Sequence, residues 1–233
     1  MRIIAFGDSN TFGHGQFDCS NKHILNRAMR AANRHASAAD RRDGPSLNTD
    51  IEPVVGNQRP SKFAWPFRLS LLANCKVINK GVPGASALLI AHTIRNFSYE
   101  PGDIVVVLWT YIARSTIFYD NNSFALIMPA LLHKTAQKLY SILPDYDFHY
   151  KSICAMEHAH LWLHHRNINF NNWVVCNEAS EFDYYRMGQN SATFMDFHMD
   201  KAPDEVHAGP LSQLLFAEHV YDKLCKDGHI VHT

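Results

Sequence analysis

Residues 2–13 read RIIAFGDSNTFG, an apolar run that stops at Gly7 and gives way to Asp8, Ser9 and Asn10. An unbroken apolar stretch closed by glycine is the pattern of a strand buried on both faces of a parallel sheet. The residues after it favour turns, so a bend explains them, with Ser9 capping a short helix through its side-chain oxygen. The alternative gives Ser9 a chemical role, as a hydroxyl presented at a strand end, where open α/β sheets bind ligands. The rest of the chain decides between the two.

Further along, KFAWPFRLSLLANC (62–75) can form a helix, with Pro66 tolerated in its first turn, and KVIN (76–79) reads as a second strand. The turn KGVPGAS leads into a helix from Leu88 to about Asn96, and IVVVLW (104–109), rich in β-branched residues, is a third strand. Ala130, Leu131, Leu132, Ala136, Leu139 and Ile142 share one helical face, and a second helix covers about Tyr146 to His165. WVVC (173–176) and TFMDF (193–197) are further strand candidates. Pro210 opens a last helix lined by Leu211, Leu214, Leu215, Ala217, Val220, Tyr221 and Leu224, with Gly228 as its stop. Strands alternating with helices imply an α/β fold with parallel pairing and helices on both faces of the sheet.

The 233 residues suit one domain, and the segment from about 14 to 61, polar and poor in large aliphatics, reads as an excursion or lid. Lys plus Arg equal Asp plus Glu at 22 each, so no global field calls for nucleic acid, and Arg27, Arg30, Arg34, Arg41 and Arg42 are read as a solvated loop. No stretch approaches the roughly 20 apolar residues of a membrane span, and no secretory leader is visible, so a cytoplasmic location is expected. The five cysteines are scattered without a C-x-x-C pair, against a disulfide frame or a zinc site. HAHLWLHH (158–165) places His160 and His164 four apart without the Glu of HExxH, so no metal is expected there.

A serine hydroxyl attacks only with a base in reach and a third group to orient that base. Asp204 and His207, in PDEVHAGP before the last helix, can supply both, although Asp-x-x-His is a common chance pair in a chain with 15 histidines. Context strengthens it. Ser9 follows one strand, a glycine turn follows the second, and the Asp/His pair opens the final helix.

At this point the sequence resembles the GDSL, or SGNH, hydrolase family over nearly its whole length. FGDSNTFG matches the nucleophile block, in its GDSN variant, NKGVPGAS the glycine block and DEVH the Asp-x-x-His block; FAWP also looks like a family feature. The resemblance implies a three-layer α/β/α, flavodoxin-like fold with a central parallel sheet of about five strands. It also implies ester hydrolysis through an acyl-enzyme, without metal or organic cofactor. It carries Ser9 over as nucleophile, His207 as base and Asp204 as its partner, with the backbone N–H groups of Ser9 and Gly84 in the oxyanion hole.

One block departs from the family pattern. The family places Gly-x-Asn-Asp after strand three, the asparagine serving as third oxyanion donor; here Leu108-Trp109-Thr110-Tyr111-Ile112-Ala113-Arg114 stands there. The hydroxyls of Thr110 and Tyr111 and the guanidinium of Arg114 are the candidate stand-ins. Asn10, Trp109, Tyr111 and Arg114 are candidate substrate contacts, Trp109 equally a packing residue, and Asp8 is expected to brace the loop. The expected substrate is a small-molecule or carbohydrate ester carrying a short acyl or acetyl group. An acyltransferase, or a carbohydrate-binding module that has lost hydrolysis, is the alternative.

Overall fold

The computed structural model describes residues 1–16, 18, 60–118, 124–127, 134–176 and 192–231. The excursion expected over 14–61 therefore lies outside the described residues except at 14–16, 18, 60 and 61, as do the arginines between 27 and 42. In chain order the elements are β1 (Arg2–Gly7), α1 (Ser9–Phe12), α2 (Trp65–Leu72), β2 (Lys76–Gly81), α3 (Ala87–Arg95), β3 (Ile104–Trp109), β4 (Ser115–Phe118), β5 (Phe124–Ile127), α4 (Lys134–Ile142), α5 (Asp145–His165), β6 (Asn169–Val174) and α6 (Pro210–Lys226).

Four strands form one parallel sheet in the order β2-β1-β3-β6. β1 is central, with Ile3 opposite both Val77 and Ile104. Its side chains alternate between faces, which is why the run RIIAF has no polar member in its interior. Ile4 and Phe6 join Val105, Val107 and Trp109 against α3 and α5, through Leu89, Ile90, Ile94, Met156 and Leu163. Ile3 and Ala5 join Val106, Leu108 and Trp173 against α2 and α6, through Trp65, Leu69, Phe216, Val220 and Leu224. The fold is therefore α/β in three layers, with helices on both faces of a parallel sheet. Fully buried side chains such as Trp65, Trp173 and Phe216 each contribute roughly 2 kcal/mol or more to holding the layers together.

Helix ends follow local chemistry. Ser86 caps α3 by accepting from Leu89 N–H at 3.3 Å, Pro66 and Pro210 occupy the first turns of α2 and α6, and Gly228 follows α6 at φ 74°. Three expectations need correction. The strand predicted at 173–176 begins at Asn169 and ends at Val174. TFMDF is not a strand: Phe194–Phe197 is a 3-10 turn closed by a capping box, in which Thr193 N–H and hydroxyl both meet Asp196 Oδ2 at 2.6 and 3.1 Å. The described sheet accordingly has four strands rather than five. β4 and β5 form a separate antiparallel hairpin, with Ser115 opposite Ile127, that the sequence reading did not anticipate.

The chain leaves β1 toward β2 on one side and later places β3 on the other. The crevice between the carboxyl ends of β1 and β3 is thus a topological switch point, the position where such sheets bind ligands. Ser9 lies two residues beyond the end of β1, and Thr110 follows directly on β3.

Candidate active site

α1 is only four residues long and cannot hold itself by its own hydrogen bonds. Its neighbours hold it. Asp8 caps it, accepting from Asn10 N–H at 2.9 Å. Asn79 Nδ2 donates to Thr11 O at 2.6 Å, Gln213 Nε2 donates to Asn10 O at 3.2 Å, Ser61 N–H donates to Phe12 O at 3.0 Å, and Trp65 Nε1 donates to Thr11 Oγ1 at 3.3 Å. The Trp65 backbone N–H in turn donates to Gln213 Oε1 at 2.9 Å, so FAWP ties α2, α6 and the turn that carries Ser9 together. Gly7 is required by space: a Cβ there would collide with the Thr11 side chain and meet Leu108 O at 2.9 Å. Because the cap is Asp8, capping does not account for Ser9. Ser9 is 5% exposed.

His207 and Asp204 meet as the spacing suggested. Asp204 Oδ2 lies 2.6 Å from His207 Nδ1, and Oδ1 accepts the backbone N–H groups of Val206 and His207, each at 3.0 Å. This fixes the ring: Nδ1–H donates to Asp204 and Nε2 is left as the basic nitrogen. Burial alone would push the Asp204 carboxyl up. Hydrogen bonds from the ring and backbone of His207, its charge, and the N–H of Val206 outweigh burial and hold the carboxyl well below the usual carboxylate range.

The loop bearing the dyad is itself anchored. Ala202 N–H donates to His207 O at 2.8 Å, Gly209 N–H to Asp200 O at 2.9 Å, and Asp200 Oδ1 accepts from Ser212 N–H at 2.8 Å at the start of α6.

The residues after Ser9 pack onto this loop. The His14 ring stands edge-to-face on His207 with centroids 5.2 Å apart, and Gln16 Nε2 donates to Ala208 O at 2.6 Å. Gly15, at φ +85°, lies so close to Asp204 that a Cβ would overlap its carboxylate. Gly15→Ala is expected to destabilise the protein by about 2–4 kcal/mol, from left-handed strain plus overpacking, and to lower turnover with it. Thermal melting checks this, and an unchanged melting temperature would contradict the packing described. Among the described residues no hydrogen bond joins Ser9 to His207; in ligand-free enzymes such bonds are often long and tighten in the substrate complex.

The glycine block also reaches the site. Val82 N–H donates to Gly7 O at 2.9 Å, and Gly84 adopts φ +79° in the turn that follows.

The end of β3 differs from the expectation. The Thr110 hydroxyl donates to Asp8 Oδ2 at 2.9 Å, and Arg114 NH1 lies 2.8 Å from that oxygen and 2.6 Å from Thr110 Oγ1. Both side chains are engaged with Asp8, which commits the Thr110 hydroxyl hydrogen and Arg114 NH1. Tyr111 is half-buried with the Arg114 guanidinium 4.8 Å above its ring. Trp109 is 4% exposed and packs in the core against α3 and α5, so packing rather than substrate contact explains it. Asn10 is 7% exposed, its backbone tied to Asp8 and Gln213.

Sequence reasoning missed His14, Gly15, Gln16, Asn79 and Gln213. The one local signal was two glycines flanking a histidine directly after the nucleophile block; the rest act across long sequence separations.

The histidine-rich stretch lies on α5. His160 packs on Phe170 with centroids 4.5 Å apart, and burial, then His164, pushes its pKa down. No group of three metal-ligating side chains forms among the described residues, and no described helix is long and apolar enough to cross a membrane.

No family model and no curated protein matches the chain. Among solved structures, a protein from Desulfitobacterium hafniense DCB-2, described as lipolytic and of the G-D-S-L family, is similar with a TM-score of 0.49 at 13% identity, covering 95% of this chain and 98% of that one. A second solved structure is similar with a TM-score of 0.37 at 12% identity, covering 97% of each chain.

Proposed function

We propose that the protein is a serine ester hydrolase that acts through an acyl-enzyme on short-chain carboxylic esters, an acetyl group on a small molecule or sugar being the favoured substrate. The observation that carries this is the Asp204–His207 pair, 2.6 Å apart and packed against the segment that follows Ser9, at the switch point of the sheet. His207 Nε2 takes the proton of Ser9 as Oγ attacks the ester carbonyl carbon. The backbone N–H groups of Ser9 and Gly84 receive the oxyanion, and collapse expels the alcohol, which takes the proton from Nε2. Water repeats the sequence on the acyl-enzyme, releasing the carboxylic acid and restoring Ser9.

With no asparagine after β3, the oxyanion rests on backbone donors, and one missing donor lowers the rate by roughly 100 to 1,000-fold. That same observation favours the second reading, a module of this fold that binds carbohydrate esters without turning them over. An acyltransferase shares the acyl-enzyme and differs in its acceptor.

The test is incubation with a fluorophosphonate and with acetyl, butyryl and longer acyl esters of one chromogenic alcohol. Labelling mapped to Ser9 by peptide mass spectrometry, with acetyl or butyryl turned over fastest, is the expected result. Absence of both labelling and turnover sinks the hydrolase reading, and a clear preference for long chains sinks the acetyl assignment alone.

A further inference from the structure

We propose that Arg114 is a positioning residue that holds the nucleophile turn in shape through Asp8, and that it does not touch substrate. The inference rests on the hydrolase reading for its catalytic consequence only. Asp8 is fully buried, and its two carboxylate oxygens serve different elements. Oδ1 holds Asn10 N–H in the first turn of α1; Oδ2 receives the Thr110 hydroxyl and Arg114 NH1 from the segment after β3. The carboxylate is thus the link between the turn that carries Ser9 and the neighbouring strand end.

Burying a carboxylate without a partner is costly, and among the described residues Arg114 is the one cation in ion-pair range of Asp8. Both hydrogens of NH1 are committed, one to Asp8 at 2.8 Å and one to Thr110 Oγ1 at 2.6 Å, and the guanidinium is further fixed over the Tyr111 ring. The turn that presents Arg114 is also pinned from behind. Ser152 Oγ donates to Ile112 O at 2.7 Å and Tyr140 Oη to Ala113 O at 2.5 Å, from α5 and α4 respectively.

An arginine suits the position because its planar fork can meet Asp8 and Thr110 together; a lysine brings the charge without the fork. In this chain, therefore, the strand end that lacks the asparagine supplies rigidity to the nucleophile turn instead of a donor to the oxyanion.

The experiment compares wild type, Arg114→Met and Arg114→Lys by amide hydrogen exchange and by steady-state kinetics on the acetyl ester. Arg114→Met is expected to speed exchange at the Asn10 amide at least about 10-fold, with the Val106 amide in β3 unchanged. It is expected to lower kcat about 100-fold while KM stays within about twofold, as for a misplaced reacting group. Arg114→Lys keeps the fold and the charge and should fall between the two on both measures, which keeps the proposal decidable if Arg114→Met does not fold. Unchanged exchange at Asn10 in Arg114→Met, or in Arg114→Lys should the former not fold, overturns the proposal whatever the kinetics do. A raised KM with unchanged exchange would identify Arg114 as a substrate contact. If wild type neither turns over ester nor labels, the hydrolase reading fails while the exchange result still decides whether Arg114 holds the turn.

Discussion

Ser9→Ala is expected to abolish fluorophosphonate labelling and to lower kcat by roughly 10⁵ to 10⁶-fold, leaving only the residual catalysis that oxyanion donors and binding supply without a nucleophile. The fold should survive. The side chain that caps α1 belongs to Asp8, and the anchors of the helix run to Asn10, Thr11 and Phe12. A melting temperature within a few degrees of wild type, alongside the lost turnover, separates chemistry from unfolding. Ser9→Ala combined with His207→Ala should be no slower than either alone, because the two act as one unit. Turnover that persists in Ser9→Ala at more than about a tenth of wild type would place the chemistry elsewhere.

Asp204→Asn is expected to lower kcat about 10⁴-fold without emptying the site. The amide can donate to Nδ1 where the carboxylate accepts from it, which moves the ring proton to Nε2, the nitrogen that must act as base. Asp204 has a depressed carboxyl pKa in the folded protein. Its interactions therefore stabilise the fold fully above the ordinary carboxylate range, and that stabilisation is lost as pH falls toward the lowered value. Asp204 stays ionised well below the ordinary carboxylate range, so the acid limb of kcat/KM should carry no ionisation from it. A carboxylate-like ionisation in that limb would contradict the hydrogen bonding found here. The Asn variant should lack this stabilisation above the carboxylate range, so its melting temperature and that of wild type should converge as pH falls.

The layered α/β fold was legible because β1 and β3 are short apolar runs and β1 and β2 end at glycine turns, and the parallel pairing follows from the helices between strands. The failures have local causes. The strand at 169–174 reads NFNNWV, in which three asparagines imitate a loop; Asn171 and Asn172 are nonetheless buried in the sheet. TFMDF has strand-like composition, but the Thr193–Asp196 capping box bends it into a 3-10 turn. The β4–β5 hairpin joins two four-residue strands too short to show a period.

In the site, Asp204 and His207 could be found because they are three residues apart, and Asp8 because it adjoins Ser9. Gln213 could not. It sits within the periodic pattern of a helix, and its bonds to Trp65 and Asn10 cross the molecule. Thr110 and Arg114 were noticed for their place at a strand end. Their direction, toward Asp8, is a property of the turn after β3 that Tyr140 and Ser152 pin from α4 and α5, and is written in no single segment.

The bond between Gln213 and Asn10 spans 203 positions of the chain. During synthesis the turn that carries Ser9 leaves the ribosome well before Gln213, the side chain that steadies it from α6. β1 and β2 can pair before α6 is made, yet α1 alone is too short to persist, so the turn settles only once Gln213 has followed. Formation of α6 would then act as a maturation step for the turn that carries Ser9.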